Sequence, residues 1–97
     1  MPDGSLTPAE AKAHILKALE TGRVRFTSYC RGRMAERSVT EVEIINVLRG
    51  GVVEPAEFER GAWRYRVRAN RIYVVVELEE DADGDFVLTI TLWRQEP

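Results

Sequence analysis

The sequence predicts an α+β domain, with N-terminal helices packed on one face of a four-stranded antiparallel meander. Two observations carry this. Hydroxyl-capped helix starts are confined to the first half of the chain, and after Gly51 the hydrophobic period changes from helical to two. Composition agrees. Ninety-seven residues, 44% hydrophobic and 31% charged, describe one folded domain over 1–97, able to bury roughly 60–70% of its unfolded surface.

The first helix is expected over 8–21. Thr7-Pro8-Ala9-Glu10 supplies a capping hydroxyl, a proline at the first helical position and a glutamate three residues after the cap. Ala11, Ile15, Ala18 and Leu19 form its apolar stripe, and Gly22 is its stop. Residues 23–27 read as a short extended link. Thr27 or Ser28 then caps a second helix over 28–37, with Gly32 inside it at a cost of about 1 kcal/mol relative to alanine. Thr40-Glu41-Val42-Glu43 is a capping box that opens a third helix over 41–49, which buries Ile44, Ile45, Val47 and Leu48 and ends at Gly50-Gly51.

Four strands follow. Residues 52–58 contain Pro55, which suits an edge or a bulge. Residues 62–68 alternate Trp63, Tyr65 and Val67 with Arg64, Arg66 and Arg68. A turn at Asn70 leads into 72–79, and a turn over Asp81–Asp85 around Asp83-Gly84 leads into 86–94. If Ile72, Val74, Val76, Phe86, Leu88, Ile90 and Leu92 meet the helices, the other face carries Tyr73, Val75, Glu77, Thr89, Thr91 and Trp93. Burial of Trp63, Tyr65 and Val67 sends the three arginines to that same open face. Arg64, Arg66 and Arg68 then stand ready for phosphates, with Tyr73 and Trp93 to stack bases. The alternative is an ordinary solvated face on which arginines pair with Glu77 across strands.

Charge excludes some classes. Fourteen basic against sixteen acidic residues leave −2, so the molecule as a whole is no polycation. Much of the acidity sits in Glu79–Asp85, but that run fails as a calcium loop. Counted from Asp81, glycine comes fourth rather than sixth, and the twelfth residue is Leu92 rather than glutamate. The lone Cys30 forbids an intrachain disulfide and fits a reducing compartment. Charged residues among the first twenty leave no signal peptide visible, and the longest apolar run, Ile72–Val76, is too short to span a membrane. A cytoplasmic protein without a membrane partner is expected. With no glycine-rich phosphate loop and no ligand-spaced Cys/His set, no metal or other cofactor is expected.

On the second helix Tyr29, Arg33 and Arg37 fall at i, i+4 and i+8 and share one face. A phenol and two guanidiniums in that row suit a phosphodiester. Equally, the arginines can pair with Glu36, Glu41 or Glu43. His14 is the one histidine and reads as a helix-surface residue, and Cys30 reads as packing.

Residues 26–41, Phe-Thr-Ser-Tyr-Cys-Arg-Gly-Arg-Met-Ala-Glu-Arg-Ser-Val-Thr-Glu, resemble the signature stretch of the bacterial domain of unknown function 4258 family. Arg33-Met34-x-Glu36-Arg37 is the most specific part. The Gly-Gly after the third helix, the Trp-Arg-Tyr strand and the closing Thr-Ile-Thr-Leu-Trp fit as well, so the resemblance covers about residues 8–94. It implies a RelE/ParE-like toxin-related fold of the barnase–EndoU–RelE group. It further implies an RNA-directed, metal-independent endoribonuclease with an antitoxin-like protein partner, or a relative that has lost the chemistry. On that reading Tyr29, Arg33 and Arg37 are the catalytic candidates, with Tyr29 as acid or base. Tyr29 stands where the family carries histidine and Cys30 where it carries alanine, and a phenol near pKa ~10 is a poor base at neutral pH. A non-catalytic protein- or RNA-binding module and a self-associating housekeeping domain are the other readings.

Overall fold

The computed structural model describes residues 4–96. The helices begin where their caps place them: α1 (Pro8–Thr21), α2 (Ser28–Arg37) and α3 (Glu41–Gly50). At the start of α1 and α3, Thr7 and Thr40 each exchange hydrogen bonds with the glutamate three residues on, Glu10 and Glu43. Each such cap contributes about 1 kcal/mol. No helix among the described residues is long and apolar enough to cross a membrane.

The sheet differs from a four-stranded meander. Its strands are β1 (Val24–Phe26), β2 (Val52–Val53), β3 (Glu57–Glu59), β4 (Ala62–Ala69), β5 (Ile72–Glu80) and β6 (Phe86–Gln95). The order is β1-β6-β5-β4-β2, with β3 also pairing β4. The link at 24–26 is therefore a strand, parallel to β6 with Val24 opposite Leu88. A parallel partner more than sixty residues away leaves no local mark on a three-residue segment. The expected strand over 52–58 is split into β2 and β3, two successive pieces on the same edge of β4 with Pro55 between them. Proline cannot donate to a ladder, and an edge is where it is tolerated. β3 and β4 are joined by Arg60-Gly61, both at positive φ (51° and 81°), as a two-residue type I′ hairpin requires.

The helices cover one sheet face. Ala11, Ile15 and Ala18 of α1, Cys30 and Met34 of α2, and Ile44, Val47 and Leu48 of α3 pack in one core with Tyr65, Val67, Val74, Val76, Leu88, Ile90 and Trp93. Two face assignments are corrected. Trp93, expected on the open face, is 2% exposed and belongs to the core, while Leu92 lies with Val75 and Tyr73 on the open side. The cause is a β-bulge. Val76 pairs with Ile90 but Val75 pairs with Leu92, so Thr91 is the extra residue and the alternation reverses beyond it. The Thr91 hydroxyl donates to the Val75 carbonyl (2.9 Å), and the Thr27 hydroxyl donates to the Thr91 carbonyl (2.9 Å).

One half-buried contact locks α1 to α3. The Lys12 ammonium donates to the carbonyls of Leu48 (2.9 Å), Arg49 (2.7 Å) and Gly51 (2.8 Å). These are orphan acceptors at the end of a helix, where a cation is favoured. Desolvation by burial lowers the pKa of this ammonium from its ordinary value. Replacing Lys12 with methionine keeps much of the stem and strips three carbonyls of their donor. Urea denaturation is expected to show a loss of about 1–3 kcal/mol; a change under about 0.5 kcal/mol would mean that water replaces the ammonium at no cost.

Candidate functional site

The sequence-derived candidates fall into separate places. α2 is fixed at its start by Thr27, whose hydroxyl accepts the Cys30 N–H (3.1 Å) while donating to the bulge carbonyl of Thr91. Cys30 and Met34 face the core, with the Cys30 thiol against the Met34 sulfur at 4.0 Å. Burial raises the thiol pKa, which suits packing rather than nucleophilic chemistry. The helix ends at Ser38 in the left-handed conformation, its N–H on the Met34 and Ala35 carbonyls.

This placement brings Arg33 and Arg37 over the end of β6. Together with Arg71 from the β4–β5 turn, Trp93, Gln95 and Glu96 they line a groove of about 400 Å³. The Arg33 guanidinium carbon lies 5.6 Å from the centre of the Trp93 ring, within cation–π range. Two N–H donors here lack acceptors among the described residues: Arg33 Nε and Trp93 Nε1 are both buried without a hydrogen-bond partner there. None of the ion pairs among the described residues includes Arg33, Arg37 or Arg71. Among the described residues the one carboxylate lining the groove, Glu96, is engaged by Arg68. Three guanidiniums face one carboxylate, a formal balance of +2.

Tyr29 is not among the groove residues. It lies one turn earlier on α2 and is 55% exposed. Arg71 is the groove residue that sequence reasoning missed. The Asn70-Arg71 turn was legible, but which end of α2 it would meet depends on the packing of the sheet.

The open sheet face carries Arg64, Arg66, Arg68 and Tyr73 as the alternation implies, and it is no bare cationic surface. Arg64 Nε lies 2.9 Å from Glu77 and its Nη1 3.4 Å from Glu59, Arg66 pairs with Glu57 at 3.7 Å, and Arg68 pairs with Glu54 at 3.8 Å and with Glu96. Tyr73 lies beneath Arg66 and Arg68, with its ring centre 4.7 and 5.3 Å from their guanidinium carbons. Such partly exposed pairs add little stability individually, but a phosphate arriving here must displace carboxylates.

His14 stands elsewhere again. Its ring lies against Phe86, tilted by 45° with centroids 4.2 Å apart, in a cleft of about 300 Å³ between α1 and the β5–β6 turn. Arg23 closes that turn, 2.6 Å from Asp81 and 3.5 Å from Asp85. Burial pushes the Asp81 pKa up, but the N–H groups of Asp85 and Asp83 and the Arg23 guanidinium outweigh it and hold the carboxyl below its ordinary value. The run Asp81–Asp85 is thus an internally bonded turn.

No family model, curated protein or solved structure matches the chain.

Proposed function

We propose that the protein binds RNA by its phosphate groups in the groove between α2 and the end of β6, without cutting it. The observation that carries this reading is the set of three arginines around Trp93 that form no ion pair among the described residues. Arginine forks match phosphate oxygens in geometry and charge. Arg33 and Arg37 are also the two arginines of the stretch that resembles a toxin-related family, and this resemblance selects RNA among polyanions. The groove supplies cations but no imidazole, and its carboxylate is held by Arg68. RNA cleavage needs a base for the 2′-hydroxyl and an acid for the leaving oxygen. The phenol of Tyr29, the acid or base of the catalytic alternative, is outside the lining.

The test is anisotropy of an internally labelled RNA at several salt concentrations, with the RNA then run on a gel. Arg33→Gln and Arg37→Gln are each expected to weaken binding about tenfold and to reduce the salt slope by about one. Arg64→Gln, on the neutralised face, is expected to change affinity less than twofold. Unchanged affinity in both groove variants would place binding elsewhere, and RNA fragments that vanish with Tyr29→Phe would restore the catalytic reading.

A further inference from the structure

We infer that the groove takes an RNA end, a terminal phosphomonoester, rather than a phosphodiester from the interior of a strand. The inference rests on the RNA reading above and narrows it. The first ground is charge. Arg33, Arg37 and Arg71 against Glu96 leave a balance of +2. A phosphomonoester at neutral pH carries about −1.5 to −2, whereas each diester carries −1.

The second ground is the pair of unmet donors. Arg33 Nε and the indole N–H of Trp93, itself 2% exposed, are buried without acceptors on two groove residues in cation–π contact. Buried donors in a native protein call for partners. A monoester offers three strong acceptor oxygens, one more than the two unesterified oxygens of a diester.

The third ground is Glu96. A strand running through the groove brings further phosphates past this carboxylate, which Arg68 already engages and which offers them no donor. A strand that ends in the groove places one phosphate among the three arginines and brings no second one across the lining. The open sheet face also holds a buried guanidinium nitrogen without a partner, Arg66 Nε, but there Arg64, Arg66 and Arg68 are each met by a glutamate.

The experiment is calorimetric titration of the whole protein with one short RNA sequence in three forms: 5′-phosphate, 3′-phosphate, and hydroxyl at both ends. A nucleoside 5′-monophosphate is the fourth ligand. At least one phosphorylated end is expected to bind tenfold or more tightly than the hydroxyl form. Arg71→Gln, an exposed turn residue, is expected to reduce that advantage to under threefold while RNA still binds. Equal affinity for all three RNAs overturns the inference and leaves the RNA reading standing. Failure of every RNA to bind overturns both. A free monophosphate binding as tightly as the phosphorylated RNA supports the monoester chemistry and overturns RNA as its source.

Discussion

Gly51→Ala is expected to destabilise the protein by about 3 kcal/mol, lowering the melting temperature by more than about 10 °C in a domain of this size. Backbone conformation is not the reason, because Gly51 has φ −81° and ψ 169°, open to any residue. Space is the reason. A Cβ built there lies 2.5 Å from the Val47 carbonyl oxygen, 2.8 Å from the Arg68 carbonyl oxygen and 2.9 Å from Val67 Cγ1. Two of these three atoms are backbone and cannot rotate away, so relief requires α3 and β4 to separate. That motion would also disturb the Gly51 carbonyl that accepts from Lys12. Gly50 provides the control: a Cβ there meets nothing within 4 Å, and alanine at the end of α3 is expected to be neutral or to gain up to about 1 kcal/mol in helix propensity. Thermal melts of the two variants side by side decide the matter. A Gly51→Ala melt within about 2 °C of wild type would mean that α3 can slide on the sheet.

The contrast between Gly50 and Gly51 illustrates what a sequence of this kind discloses. Local signals survived into the structure. Thr7, Thr27 and Thr40 open the helices as their spacing implies, because a cap is a contact between residues three apart. Signals that depend on distant partners did not. Val24–Phe26 becomes a strand through β6, more than sixty residues later. The open-face arginines were legible from alternation, and so was their pairing with Glu77. Of their other partners, Glu54, Glu57 and Glu59 came within reach because the Arg60-Gly61 hairpin folds the chain back along β4, and Glu96 because it follows β6. The candidate groove was half legible. Arg33 and Arg37 share a face by helical arithmetic, whereas Arg71 and Trp93 join them through the packing of the sheet and a bulge.

That bulge yields the second large effect. Trp93→Ala is expected to cost about 3–5 kcal/mol, the usual range for removing a buried large aromatic. In a domain whose whole stability is about 5–15 kcal/mol, this is a substantial fraction. Unbroken alternation along β6 would place Leu92 against the helices and Trp93 in water, which reverses the expectation. Leu92→Thr is therefore the companion variant. Leu92 lies half-buried on the open face beside Val75 and Tyr73, and a β-branched polar residue suits that position, so the expected cost is under about 1 kcal/mol. Urea denaturation followed by circular dichroism gives both values without relying on indole fluorescence. A large loss for Leu92→Thr with a small one for Trp93→Ala would put the bulge elsewhere and take the floor out of the arginine groove. Trp93→Phe separates the two roles of the residue. It keeps an aromatic ring in the core beside Arg33 but removes the unpartnered indole N–H. The fold is expected to survive this change, while affinity for a phosphorylated RNA end falls severalfold, because a buried donor to a charged oxygen contributes more than a neutral pair.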